Sequence, residues 1–254
     1  MRDFFSKSRP PRSSTDAPGR ISEGHLGACG YRIGVTPAPE DAEHVDTEAL
    51  SGYLHSASGS PRGVVALTHG AGGNCNAKIL QLMCTRFAAH GFVALRYDLP
   101  FRRRRPKGPP QPSRAGEDRE GVAAVAAATR EYSDGPLILG GVSYGGRQVT
   151  MLAAERPGIA DGLLLMSYPL HPPGQPDKPR TEHLPALTAP SVFVHGDRDP
   201  FGTLDELRHA LALVPAPTTL VPVEGAAHDL GRAKADPSEI AVRAVLALVD
   251  GQAR

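Results

Sequence analysis

The sequence carries almost no net charge: 28 lysines and arginines stand against 27 aspartates and glutamates in 254 residues, a formal balance of +1. That removes the overall basic excess of a dedicated nucleic-acid binder. Cysteine is equally scarce. Cys29, Cys75 and Cys84 form no even set and no Cys-x-x-Cys pair, which argues against a disulfide scaffold and a thiolate zinc site and fits a reducing compartment. No stretch approaches the ~18 apolar residues of a membrane helix, and the N-terminal run Met-Arg-Asp-Phe-Phe-Ser-Lys-Ser-Arg lacks the apolar core of a signal peptide. A cytoplasmic protein with no membrane partner and no nucleic-acid partner is expected.

What is present is the composition of an ordinary globular domain, 40% hydrophobic and 22% charged, long enough to bury one large core. Residues 1–30, rich in Ser, Pro, Arg and Gly without apolar periodicity, read as a flexible leader, and residues 31–254 as one domain. Short alternating segments at 31–35 and 49–55, around an acidic, proline-containing loop, suit antiparallel strands at a sheet edge. Continuous apolar runs at 63–68, 91–97, 137–142, 162–167 and 191–196 suit strands buried on both faces, and 218–223 is the last strand.

Helices fall between them. Ile79, Leu80, Met83 and Phe87 share one face. A second helix opens at Gly116 with Glu117 and Asp118 where the dipole favours negative charge, and buries Val122, Val125 and Ala126. Thr203 and Glu206 form a capping box for a helix through Leu213, and Asp236-Pro237-Ser238-Glu239 opens the C-terminal helix. This alternation specifies an α/β fold, a mostly parallel sheet covered on both faces. The proline-rich connection at 168–190 lacks helical periodicity, so no large lid is expected and the site should be shallow or capped by loops.

The chain is organised around residues 137–146, Leu-Ile-Leu-Gly-Gly-Val-Ser-Tyr-Gly-Gly. An apolar strand ends in Gly141-Val142-Ser143-Tyr144-Gly145 and helix-compatible residues follow, the pattern of a nucleophile elbow that pushes a serine hydroxyl out over the end of a sheet. Gly141 and Gly145 satisfy the need for small residues on either side of the turn. With 28 glycines in the chain, composition alone yields about 0.2 such motifs, so context must decide.

Context supplies the partners. His69-Gly70-Ala71-Gly72-Gly73-Asn74 leaves a strand and enters a helix, lacks the Gly-Lys-Ser/Thr of a phosphate cradle, and suits an oxyanion hole instead. The expected donors are the N–H groups of Ala71 and of Tyr144, at the first turn of the elbow helix. Asp199 lies just beyond one strand and His228 beyond the next, on the same rim as Ser143; the histidine would take the serine proton and the acid would hold its tautomer. Asp197 competes with Asp199 but leaves the turn at Gly196 too early to reach back. His195 precedes its strand-ending glycine and His209 falls inside a helix, which leaves His228. A metal site from His195, Asp197 and Asp199 would need a third coherent ligand at suitable spacing, so no metal is expected, and the triad chemistry requires no cofactor.

Arg102-Arg103-Arg104-Arg105 has three readings. It is a solvated loop; or a nucleic-acid footprint, small in a chain of this net charge; or, because a loop at the carboxyl end of a parallel strand shares the rim with Ser143, a place where Arg102 or Arg103 binds an anionic substrate group. Cys75, near the oxyanion loop, reads as a packing residue.

His69-Gly-Ala-Gly-Gly, Gly141-Val-Ser-Tyr-Gly-Gly, Ser167-Tyr-Pro-Leu-His-Pro-Pro-Gly and Gly196-Asp-Arg-Asp-Pro-Phe-Gly together resemble the small lidless α/β-hydrolases related to dienelactone hydrolase, most closely the branch shared with the testis-expressed protein 30 and chromatin-complex hydrolase-like proteins. The resemblance runs from about residue 30 to the end of the chain. It implies an α/β-hydrolase fold and the triad Ser143, Asp199 and His228 in the family's chain order. One departure is that dienelactone hydrolase has a cysteine nucleophile where this chain has Ser143. Three functions are consistent with these residues: a serine hydrolase acting on an ester, thioester or lactone of a small-molecule acyl substrate, an acyltransferase using the same triad, and a non-catalytic binding module, which some members of the branch are regarded as being. The complete set of components favours the hydrolase.

Overall fold

The computed structural model of the protein describes residues 42–252. The leader expected at 1–30 and the strand expected at 31–35 lie outside the described residues. One eight-stranded sheet organises the rest, in the order β1-β2-β4-β3-β5-β6-β7-β8. Strands β3 (Val64–Thr68), β4 (Val93–Tyr97), β5 (Leu137–Val142), β6 (Gly162–Met166), β7 (Ser191–Gly196) and β8 (Thr218–Val223) run parallel. Strands β1 (Ala42–Asp46) and β2 (Ser51–His55) are antiparallel at one edge. β1 occupies the acidic stretch expected to be loop. Its Glu43, His44 and Asp46 give no apolar alternation, and an edge strand paired only with β2 needs none.

Every residue of β3, β4, β6 and β7 is buried, because helices cover both faces of the sheet. Alternate strand residues therefore feed opposite cores. Val65, Leu67, Ala94, Ile138, Leu164 and Val192 pack with Leu80, Met83 and Phe87 of α1 (Lys78–Ala89) and Ala241, Val242 and Val245 of α6 (Pro237–Gln252). Ala66, Leu95, Leu139, Leu163, Leu165 and Phe193 pack with Val122 and Val125 of α3 (Ala115–Thr129), Val149 and Leu152 of α4 (Tyr144–Glu155) and Leu207 of α5 (Leu204–Leu211).

The start of α5 has both halves of its capping box: Thr203 Oγ1 accepts from the Glu206 N–H at 3.2 Å and Glu206 Oε2 accepts from the Thr203 N–H at 2.7 Å. The helix stops two residues short of Leu213, which is 47% exposed and has no core to enter. A short helix, α2 (Pro100–Arg104), forms inside the arginine run where only loop was expected; Pro100 at its first position presets the helical φ. Between β6 and β7 the only helical feature is a single 3-10 turn at Leu184–Ala186, so that connection carries no helical lid. The far edge of the sheet is β8, with Pro222 in it. Among the described residues no helix is long and apolar enough to cross a membrane.

Leu165 is fully buried at the centre of the sheet, and Leu165→Ala is expected to lower unfolding stability in urea by about 2–5 kcal/mol. Leu213→Ala, at an exposed helix end, should change it by less than about 0.5 kcal/mol.

Candidate active site

The turn from β5 to α4 places Ser143 at φ 50° and ψ −116°, in the left-handed half of backbone space, where a residue with a Cβ is strained by about 1–3 kcal/mol. The Ser143 N–H donates to the Met166 carbonyl at 2.8 Å and its carbonyl accepts from the Arg147 N–H at 3.0 Å, which holds the strained turn between β6 and α4. A Cβ on Gly141 would lie 2.9 Å from the Gly145 carbonyl carbon, and one on Gly145 would lie 2.4 Å from the His69 oxygen. Only glycine permits these approaches.

Loops after β7 and β8 bring the other two groups to this turn. His228 Nδ1 lies 2.8 Å from Asp199 Oδ2 and His228 Nε2 lies 2.8 Å from Ser143 Oγ. An ionised carboxylate can only accept, so Nδ1 carries the proton and the Nε2 lone pair faces the serine hydroxyl. The Asp199 side chain is fully buried, and its other oxygen accepts from the Phe201 N–H at 2.8 Å. Phe201 stacks on the His228 ring, with centroids 4.0 Å apart. Ser143, Asp199 and His228 are thus brought together, whereas Asp197 is exposed and accepts from the Gly225 N–H at 2.8 Å.

His195 packs behind the acid: its Nε2 donates to the Gly202 carbonyl at 2.8 Å and lies 3.6 Å from Asp199 Oδ2, and burial holds its pKa below the usual value, so the ring is neutral. His209, on the exposed face of α5, donates through Nδ1 to the Asp205 carbonyl. Among the described residues no group of three or more His, Cys, Asp or Glu is arranged to hold a metal ion.

Ser143 and His228 open into a cleft of about 730 Å³, which Ala71 and Tyr144 also line. The Gly70 carbonyl accepts from His69 Nδ1 at 2.8 Å and from the Gly73 N–H at 3.1 Å. Because a trans peptide sets its N–H opposite its C=O, the Ala71 N–H points away from those donors. The Tyr144 N–H belongs to the first residue of α4, where the helix supplies no acceptor.

Two residues that hold this arrangement escaped the sequence analysis as such. His69 is buried, its pKa lowered by that burial, and its neutral ring bridges two loops by donating to Gly70 and accepting from the Leu99 N–H at 3.2 Å. Asp118 stands in the first turn of α3 as expected, and it is also a buried junction: one oxygen accepts from the Phe101 N–H at 2.9 Å and the other from the Tyr144 hydroxyl at 2.7 Å. Burial and Asp118 together push the Tyr144 phenol upward.

The assignment of Arg102 and Arg103 to substrate is corrected: neither lines the cleft. Arg102 is buried and its guanidinium is filled by carbonyls, donating to Gly73 at 2.7 Å, Ala71 at 2.9 Å, and Gly108 and Arg105 at 3.2 Å. Arg103 donates to the carbonyls of Thr47 at 2.7 Å and Glu48 at 2.8 Å, bracing the turn after β1. The arginines that do line the cleft are Arg147 and Arg180. Cys75 is buried, and desolvation, with Asp98 nearby, pushes its thiol up to about 12, so it stays protonated.

The sequence profile of a family described as an alpha/beta hydrolase domain matches residues 61–247. The chain belongs to that family. Solved alpha/beta hydrolases share its fold. A dienelactone hydrolase from Anabaena variabilis is 20% identical, with 82% of this chain and 94% of that one covered and a TM-score of 0.61. An alpha-beta serine hydrolase homologue from Coxiella burnetii is 17% identical over 83% of this chain and 100% of that one, with a TM-score of 0.64. A serine hydrolase without a lid from Xanthomonas campestris is 18% identical over 82% and 94%, with a TM-score of 0.63.

Two outcomes follow for this alpha/beta hydrolase. Arg102→Leu leaves buried carbonyls unpaired and should destabilise the protein by about 1–3 kcal/mol in chemical denaturation, against less than about 1 kcal/mol for exposed Arg103→Leu. Stability should also fall with acid. Burial lowers the pKa of His69, His195 and His183 from 6.5, the last to about 4. Each therefore favours the folded state fully above the unfolded value and loses that contribution as pH falls toward the folded one. Urea midpoints measured between pH 7 and pH 4 should drop through this window, and His183→Gln should flatten the drop.

Proposed function

We propose that this alpha/beta hydrolase is a serine hydrolase that cleaves an ester, thioester or lactone of a small-molecule acyl substrate through an acyl-enzyme intermediate. The observation that carries the proposal is the continuous chain from Asp199 Oδ2 to His228 Nδ1 and from His228 Nε2 to Ser143 Oγ, both links 2.8 Å, ending on a strained serine at the wall of a cleft. A scaffold has no physical need of that strain beside a correctly tautomerised histidine.

Ser143 Oγ attacks the acyl carbon while His228 Nε2 takes its proton, and the oxygen of the tetrahedral intermediate is held by the N–H groups of Ala71 and Tyr144. The C–O or C–S bond to the leaving group then breaks and His228 returns the proton to it. Water repeats the sequence on the acyl-serine, with His228 as base and then as donor to Ser143. Asp199 keeps the proton on Nδ1 and stabilises the transient imidazolium. No cofactor enters any step. A place in the branch of testis-expressed protein 30, on the motifs quoted above, and a cytoplasmic location belong to the same proposal.

A fluorophosphonate probe should label Ser143, mapped by mass spectrometry, and the label should disappear in Ser143→Ala and fall sharply in His228→Ala. Hydrolysis of short aryl esters should drop about a thousandfold or more in Ser143→Ala. A folded protein whose Ser143 is neither labelled nor needed for turnover defeats the proposal and favours a binding module.

A further inference from the structure

The cleft carries two positive charges for which the triad chemistry has no use. Arg147 lies four residues after Ser143 on α4 and lines the cleft. Four residues of α-helix advance about 6 Å and return to the same face, and helical side chains tilt toward the N-terminus, so the Arg147 side chain leans back toward the Ser143 end of the helix. Arg180 reaches the same cleft from the connection between β6 and β7, with one side-chain hydrogen bond, from Nη1 to the Pro169 carbonyl at 3.1 Å.

Many arginines elsewhere meet a carboxylate, among them Arg86 with Asp236, Arg119 with Glu155 and Arg130 with Asp161, and the buried Arg102 is filled by carbonyls instead. Among the described residues neither Arg147 nor Arg180 has a carboxylate within 4.0 Å. Arg147 Nε is buried without a hydrogen-bond partner. So is Nε2 of Gln148, a fully buried side chain that also lines the cleft. Burial and the charge of Arg147 together hold the Arg180 pKa below its usual value. Buried donors are ordinarily satisfied, and like charges are ordinarily separated or neutralised. An anion between the two arginines would neutralise the pair, and a small turn of the Arg147 and Gln148 side chains would bring their unpaired donors to it.

Resting on the serine-hydrolase reading, we propose that Arg147 and Arg180, with the amide of Gln148, form a carboxylate subsite, so that the preferred acyl substrate is a half-ester or half-thioester bearing a second, unreacted carboxylate. The planar fork of a guanidinium matches a carboxylate with two parallel donors, and two such forks neutralise it while holding its orientation. Anion recognition then resides on the elbow helix and the connection after β6, not on the arginine run after β4.

Two measurements separate this inference from the reading it rests on. Adipic acid monoamide and its neutral match hexanamide are titrated calorimetrically into Ser143→Ala protein in chloride-free buffer. The acid should bind at least about tenfold tighter, and Arg147→Gln or Arg180→Gln should remove that advantage. Equal affinities, or a preference that survives both substitutions, overturn the subsite whether or not the protein turns over esters.

The second measurement is the ratio of kcat/KM for mono-4-nitrophenyl adipate to that for 4-nitrophenyl hexanoate. It should be about 10–100 in the wild type, expressed mainly in KM, and fall toward one in both arginine variants. Arg208→Gln, which removes an exposed cation paired with Asp205 outside the cleft, should leave it unchanged. A ratio near one in an active enzyme overturns the subsite and leaves the hydrolase standing. Failure to turn over either ester counts against the hydrolase, and the titration then decides the subsite.

Discussion

Backbone touching backbone at the elbow is the constraint from which the rest of the cleft follows. Gly141, Gly145 and the His69 carbonyl approach so closely that no side chain fits between them. β5, α4 and the loop after β3 are thereby locked into one corner, and Ser143, caught at its apex, has no relaxed conformation to adopt. α4 must begin at the very next residue, which leaves its first N–H groups without helical acceptors and returns Arg147 to the same side one turn later. The strain of about 1–3 kcal/mol at Ser143 is small beside the apolar area buried when the two cores close on the sheet.

The loops around this corner are held by buried polar groups, not by regular structure. Arg102 gathers four carbonyls from two loops, His69 ties the glycine-rich loop to the end of β4, and Asp118 joins α2 to α4. Each donor is matched by an acceptor, the condition under which a buried ionic group specifies a conformation instead of merely costing desolvation. Without such fixtures a glycine-rich loop would be free to rotate its peptides, and the direction of the Ala71 N–H would be lost.

The interior parallel strands β3 to β7 were legible because each is buried on both faces and reads as a largely apolar run. β1 was not, since an edge strand with solvent on its outer side needs no such pattern. Proximity of Ser143, Asp199 and His228 could be anticipated from chain order and from the way strand ends share one rim. Asp199 and Asp197 look alike in the sequence and part only in three dimensions, where one is buried against His228 and the other faces solvent. The arginine run was misassigned for a simple reason: a guanidinium enclosed by carbonyls and one aimed at a ligand look the same in a sequence. Asp118 was missed because its partners Phe101 and Tyr144 stand 17 and 26 residues away along the chain. Arg147 was passed over although its spacing of four from Ser143 was there to read, since a single cation in a helix ordinarily faces water.

Pro222 has a consequence for how the molecule behaves in a crowd. In a parallel strand the N–H and C=O of one residue point to the same side, and the next residue's to the other. The Val223 carbonyl accepts from Asp197 and the Pro217 carbonyl from Ser191, so odd-numbered residues of β8 face β7 and Pro222 faces outward. Its missing N–H therefore costs the sheet nothing, yet it interrupts the row of donors that a strand from another molecule would need in order to add to this edge. A wide, apolar, largely parallel sheet is an aggregation template wherever its rim is exposed, and at β8, the far edge among the described residues, a single imide nitrogen breaks that template.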